Sequence, residues 1–229
     1  ARTIAQRHGR RRPALPPNAG TRPCPSSARV GSGGPTLLVV ASKVVVLGAC
    51  CSGKSSLCER LRVDHRSVTE CDEAVMLAAG GAWPASAEEN HRLVIEAASS
   101  AIAMTDVIFL TSWMPTAMLR IAHDRGFTVA LLSVSMPELE HRNSQRLAEG
   151  GYSDVSHWFQ SQLDNYADLD ALGIRVVVSG HSHRPAIETR NGVLYVNPGS
   201  AGPRRFRLPI AMGSLAIDGA DVHAQPIEL

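Results

Sequence analysis

The sequence predicts an α/β protein: a mostly parallel sheet with helices on both faces, joined to a short C-terminal antiparallel β segment. Three observations carry that expectation. Between Lys43 and Gly173, short β-branched runs alternate with helix-period segments, the pattern that builds parallel sheets covered on both sides. No two strand-like runs follow one another in that stretch, so no hairpin interrupts it. From Arg175 the texture changes to strands separated by Gly, Pro and Asn turns, without helical periodicity. With 229 residues, 44% of them apolar, the chain can bury a core as one or two domains.

The elements follow in order. "KVVVL" (43–47) is a continuous β-branched run and reads as a buried strand. "GACCSGKSS" comes next, then "LCERLR" with helical character. A weak strand leads into "TECDEAV", and "AAGGAWP" marks a break. Residues 86–104 read as a helix, with Ser86 as cap, Glu89 three residues on, and Leu93, Val94, Ala97 and Ala101 at helical spacing. "DVIFLTSW" is a strand, 114–125 a helix stopped by Gly126, and 127–134 another strand. Ser135 is the expected cap of the next helix, with Pro137 in its first turn and acids early. Residues 152–173 read as one more helix. "RVVVSG" is a strand, after which "GVLYVN" and the last seventeen residues are expected to pair antiparallel at one edge.

The charge balance divides the chain. Residues 1–42 hold seven arginines and no acid, which leaves 16 basic against 21 acidic residues in the remainder. The globular part is therefore mildly acidic, and the basicity belongs to a leader. That leader is Pro, Gly, Ser and Arg with little to bury, so disorder is expected over 1–42. A basic leader is also the one segment suited to nucleic acid, an anionic surface or an organelle transit signal. Because the chain opens on Ala rather than Met, a fragment or a misplaced start is the expected reading there. No apolar run is long enough to span a bilayer. Five cysteines without zinc-type pair spacing favour a reducing compartment, so a cytoplasmic location is expected.

The stretch after the first strand carries the sharpest chemistry. Gly48, Gly53, Lys54 and Ser55 fill the fixed positions of G-x-x-x-x-G-K-[ST], between a strand and a helix. A loop that wraps phosphate oxygens with backbone N–H groups needs its tight points free of side chains. The following helix offers its positive end to the same anion. Gly48, Ser52, Gly53, Lys54, Ser55 and Ser56 are the candidate nucleotide-binding residues. Lys54 is placed to reach β- and γ-phosphates and Ser55 to ligate Mg²⁺. Only two lysines occur in the chain, which makes one at this position informative.

Acids and arginines supply the rest. Glu70, Asp72 and Glu73 follow the weak strand, where a carboxylate can act as base toward an acceptor hydroxyl or hold Mg²⁺ through water. Asp72 is the candidate base. A solvated acidic turn is the competing reading. The strand at 106–113 ends in Thr111 and Ser112 rather than an acid. Arg142 and Arg146 stand four apart, hence on one helical face. Together they can clamp a polyphosphate and take up charge as it moves. An ordinary exposed basic face is the alternative.

Over about 43–173, this order of parts resembles the P-loop kinases of the adenylate-kinase-like superfamily. The resemblance implies ATP or GTP with Mg²⁺, transfer of a γ-phosphoryl group to a small acceptor, and Lys54, Asp72, Arg142 and Arg146 as catalytic residues. "RNSQR" is similar to the lid helix of that group.

The last segment resembles something else. "VVVSGHSHRP" and "VNPGSAGP" are similar to the C-terminal end of the calcineurin-like metallophosphoesterases. His181 and His183 match a G-H-x-H element and Asn197 to Ser200 an N-P-G-S element. The resemblance implies that His181 and His183 are metal ligands, with Mn²⁺ or another divalent ion as cofactor and Asn197 nearby. The other ligand elements of that family, an Asp-x-His after the first strand among them, are not found upstream.

The expected organisation is therefore a leader (1–42), a nucleotide-binding kinase-like domain (43–173) and a phosphoesterase-like segment (174–229). Three functions follow: a phosphotransferase acting on a nucleotide and a small acceptor, a metal-dependent phosphoesterase, or a nucleotide-binding protein without catalysis. The acceptor and the oligomeric state are left open by the sequence.

Overall fold

The computed structural model describes residues 43–64, 67–150, 152–180, 182–200, 208–219 and 221–229. The leader expected over 1–42 and His181 lie outside the described residues. The described residues fall within a single compact unit.

Strand β1 (Lys43–Gly48) runs through the middle of a seven-stranded sheet. Helix α1 (Lys54–Asp64), strand β2 (Val68–Glu70), helix α2 (Cys71–Ala78) and helix α3 (Ala87–Ile102) follow. Then come β3 (Val107–Thr111), α4 (Thr116–Asp124), β4 (Thr128–Ser133) and α5 (Met136–Glu149). A 3₁₀ turn (Ser156–Trp158) and a short α6 (Phe159–Asn165) lead to β5 (Ile174–Ser179). Strands β6 (Ala186–Arg190), β7 (Val193–Asn197), β8 (Ala211–Asp218) and β9 (Asp221–Glu228) complete the chain.

The sheet order is β2-β3-β1-β4-β5-β7-β6, and every neighbouring pair is parallel except β6 with β7. The α/β architecture with a small separate antiparallel sheet agrees with the sequence. Alternation along β1 explains how it is held. Val45 and Leu47 join the core under α2, α3, α4, α5 and α6, while Val44 and Val46 join Cys58 of α1 on the other face. Hairpin β8–β9 lies on that second face too. Its Ile217 packs with Val44 and Val46, and Leu215, Val222 and Ala224 pack on Ala130, Val176 and Val196.

Helix α3 starts as its sequence says, with Ser86 Oγ accepting from the Glu89 N–H at 3.1 Å. Ser135 precedes α5 in an extended conformation but makes no side-chain cap bond. Three elements differ from expectation. The acids after β2 open a real helix, α2, because Val75 and Cys71 are buried on it. The single helix expected over 152–173 is broken. Asp154 accepts from the Ser156 N–H and Asp168 from the Ala171 N–H, and such side-chain bonds offer the backbone an alternative to the helix. Finally, β7 lies parallel to β5, and only β6 runs antiparallel at the edge. Apolar "VLYV" takes the interior position, and charged Glu188 and Arg190 take the rim, where they discourage further pairing.

Candidate functional site

In this order, the chain leaves β1 for the β2 edge, returns to β3 beside β1, and then crosses to β4 on the other side. Connections thus diverge from β1, and the carboxyl ends of strands at such a point form the crevice where ligands bind in open α/β sheets. The loop 49–53 leaves β1 at that place.

Close packing shapes this loop. A Cβ on Gly48 would lie 2.6 Å from Ser52 Oγ and 3.2 Å from Leu132 Cβ, so a larger residue at the start of the turn would have to displace the Ser52 hydroxyl and press on Leu132. Gly53 has φ +99, a left-handed conformation that glycine adopts without strain. Lys54 is only 6% exposed. Its Nζ curls back and donates to the carbonyls of Gly48 (2.8 Å) and Ala49 (3.0 Å). An ammonium has three N–H bonds, so one remains for a ligand in the loop. Ser52 Oγ is buried without a hydrogen-bond partner, and a buried polar atom of this kind points to a group that completes it.

Acids gather on one flank. Ser55 Oγ donates to Glu70 Oε1 at 2.7 Å, and Glu70 is 6% exposed. Burial pushes the Glu70 carboxyl above its usual range, against the pull of the Ser55 hydrogen bond. Burial likewise raises Asp72, with the Lys54 ammonium opposing. Glu73 is drawn away from the loop by Arg62, which forms a two-point ion pair with it. Of the three acids singled out by sequence, the fold brings Glu70 and Asp72 to the Lys54–Ser55 end of α1. Ser56 stands exposed in the first turn of that helix.

The two arginines of α5 reach the same loop. Arg142 Nη1 donates to the carbonyls of Cys51 (3.3 Å) and Ser52 (3.2 Å), and its Nε to Glu138 Oε1 (2.7 Å). Arg146 Nη1 donates to Cys51 Sγ at 3.0 Å, and its guanidinium lies 4.4 Å from the Tyr152 ring centroid. Their spacing of four was the signal, and the fold uses it.

Two contacts carried no sequence signal. Gln162 of α6 accepts from the Cys50 N–H at 2.8 Å and donates to Cys50 Sγ at 3.3 Å. Tyr166 donates its hydroxyl proton to the Ser112 carbonyl. Tyr166 thereby ties α6 to the end of β3. Beside it lies a cavity of about 150 Å³ lined by Leu47, Trp113, Met114, Thr116, Asn165 and Tyr166.

The second set of candidates sits at the same edge. Gly48 is in register with Leu132, and Leu132 with Val178, so the loop after β5 starts two strands from the phosphate-type loop, about 10 Å away. There His183 has φ +56 and a buried Nδ1 with no partner. Asn197 donates to Ser182 Oγ at 2.8 Å, which joins the two elements that resemble the phosphoesterases. Among the described residues no three His, Cys, Asp or Glu side chains gather as a metal-binding group.

Comparisons with known proteins divide in the same way. A family model for the calcineurin-like phosphoesterase superfamily domain matches residues 147–220, starting ahead of the change of texture at 174. Comparison with curated proteins found no match. Among solved structures, the chain is similar to a gluconokinase from Sinorhizobium meliloti at 19% identity and TM-score 0.45, over 61% of this chain and 83% of that one. It is similar to a sugar kinase from Janibacter sp. at 19% identity and TM-score 0.45, over 61% and 85%. A chain of the Pnkp1/Rnl/Hen1 RNA repair complex aligns at 18% identity and TM-score 0.43, over 58% and 47%. The phosphoesterase resemblance of the last segment recurs in the family model over 147–220. No helix among the described residues is long and apolar enough to cross a membrane.

Proposed function

We propose that the protein is an ATP- or GTP-dependent phosphotransferase that moves a γ-phosphoryl group to a small hydroxyl-bearing acceptor. The observation that carries this reading is the loop 49–53: a buried lysine turned into its own loop beside an orphaned hydroxyl, with two guanidiniums arriving from α5. In this reading 43–173 is the nucleotide-binding part and 174–229 the phosphoesterase-like segment, sharing one sheet.

The residues fit a triphosphate. Apart from those of Cys50 and Ser52, which Gln162 and the Ala49 carbonyl already engage, backbone N–H groups of the loop and of Ser55 and Ser56 at the start of α1 hold phosphate oxygens, and Ser52 Oγ gains the partner it lacks. Lys54 neutralises the transferring group, and Arg142 and Arg146 take up the charge that spreads over its oxygens. Ser55 and, behind it, Glu70 are the side chains that would hold Mg²⁺, which supplies charge neutralisation when bound. Asp72, at the start of α2, accepts the acceptor's hydroxyl proton. Burial lifts its carboxyl, which makes it a better proton acceptor near neutral pH than an exposed aspartate. The cavity after β3, lined by Leu47 of β1, Trp113 to Thr116, and Asn165 and Tyr166, is assigned to the acceptor.

Titration of the purified protein with ATP and Mg²⁺, wild type beside Lys54→Ala, tests the binding half. Equal affinity for the two proteins overturns it. Turnover with a panel of nucleosides, sugars and shikimate-like acids tests the transfer half. Nucleotide binding without turnover leaves a binding protein.

A second reading is favoured by the family match over 147–220: a metal-dependent phosphoesterase with His181 and His183 as ligands. The described donors around His183 do not amount to a two-metal site, so no hydrolytic step is derived from them. Elemental analysis for Mn, Fe, Ni and Zn, repeated on His181→Ala, decides it.

A further inference from the structure

We propose that Cys51 is a modification site, a thiol oxidised by hydroperoxides, and that its oxidation closes the phosphate cradle to nucleotide. The consequence rests on the nucleotide-binding reading above, whereas the reactivity of the thiol stands on its own geometry.

Two cysteines occupy adjacent positions in the loop, and the fold treats them differently. Cys50 Sγ faces a neutral amide, Gln162 Nε2 at 3.3 Å. Cys51 Sγ faces a cation, Arg146 Nη1 at 3.0 Å. The thiolate is the nucleophilic form of cysteine, and a guanidinium N–H aimed at sulfur takes up the charge that gathers there. Cys51 is half-exposed, so a small oxidant can reach it, whereas Cys58 and Cys71 are buried.

Its position gives the sulfur leverage. Cys51 holds φ +62, and the Cys51 and Ser52 carbonyls accept from Arg142. Ser52, the next residue, carries the orphaned hydroxyl, on a side chain 8% exposed. A group added to Cys51 therefore changes the guanidinium that touches it and the turn that carries the orphaned hydroxyl. The step is a two-electron exchange. The Cys51 thiolate attacks one peroxide oxygen, the S–O bond forms as the O–O bond breaks, and hydroxide leaves and is protonated to water. Sulfenic acid results, and a dithiol reductant returns it to thiol.

The test uses the full chain, hydrogen peroxide, dimedone to trap sulfenic acid, and mass spectrometry to locate it. Trapping at Cys51 is expected at least about tenfold faster than at Cys50, slower in Arg146→Ala, and suppressed by saturating ATP with Mg²⁺. Oxidised wild type is expected to lose at least about tenfold in ATP affinity and to recover it with dithiothreitol. Cys51→Ser, whatever its starting affinity, is expected to show no change with peroxide. Trapping at Cys51 no faster than at Cys50 overturns the inference, as does an equal peroxide-induced loss in Cys51→Ser. If that variant does not fold, protection of wild-type Cys51 by ATP decides instead. Failure of the reduced wild type to bind ATP sinks the phosphotransferase reading, while the trapping rates still judge the thiol.

Discussion

Two loops leave the same edge of one parallel sheet, one after β1 and one after β5, and they are built for different degrees of commitment. The first draws contacts from three helices: Lys54 from α1, Arg142 and Arg146 from α5, Gln162 from α6. Its turn is so tight that Gly48 cannot acquire a methyl group without displacing Ser52 or Leu132. The second loop is held mainly by its own chain, through Ser182 and Asn197, and leaves His183 with an unpartnered nitrogen. The difference teaches that a motif's chemistry depends on what other elements deliver to it. Glycines and a lysine are held in a closed loop because three residues from elsewhere, Arg142, Arg146 and Gln162, converge on it. A histidine pair becomes a metal centre only when further donors arrive.

The strongest way to break this contrast is to remove the central side chain of each loop. Lys54→Ala is expected to cost on the order of 100-fold in affinity for ATP with Mg²⁺, about 2.7 kcal/mol, and His183→Ala to leave it unchanged. Isothermal titration of both variants checks this, and a loss in the histidine variant would merge the two loops into one site. Gly48→Ala sharpens the steric claim. It is expected to destabilise the fold by about 1–3 kcal/mol through overpacking and to weaken nucleotide binding, as read by denaturant unfolding and titration. His183→Gly should do the reverse, stabilising the protein by about 1 kcal/mol because it relieves a left-handed side chain and removes an unpartnered buried nitrogen. A lower melting temperature would show that the imidazole has a partner worth keeping.

The smallest effect concerns the acid behind Ser55. Its folded-state pKa lies above the usual 4.5, so the fold binds that proton more tightly than the unfolded chain does. The resulting stability is present below about pH 4.5 and is lost as pH rises through the folded value. Glu70→Gln keeps an oxygen for the Ser55 hydroxyl and is expected to melt higher than wild type at pH 7 but not at pH 4. Thermal scans across that range check the sign.

Much of the first loop was legible because its signals are local. A β-branched run, fixed glycines and one lysine are read within a dozen residues, and the Arg142/Arg146 pair announces itself by helical spacing. Glu70 was visible only as one of three acids, and burial rather than sequence separates it from Glu73. Gln162 and Tyr166 gave no signal at all. Both lie far along the chain from the residues they brace, Cys50 and Ser112, in a stretch that reads as one helix until Asp154 and Asp168 divide it. The parallel setting of β7 was hidden for a similar reason, since strand direction depends on which neighbour a run finds. The edge charges Glu188 and Arg190 were the clue to it.

Hairpin β8–β9 has a consequence for how this chain can be cut. Its apolar side roofs β4, β5 and β7, where the opposite face already has helices but this one, among the described residues, has none beyond α1. Ending the chain after β7 would strip the cover from Ala130, Val176 and Val196 and leave a sticky, water-exposed flank on the strands next to the loop at 49–53. The change of texture near 174 is therefore no place to divide the molecule on the bench: a shortened version is expected to clump rather than to fold on its own.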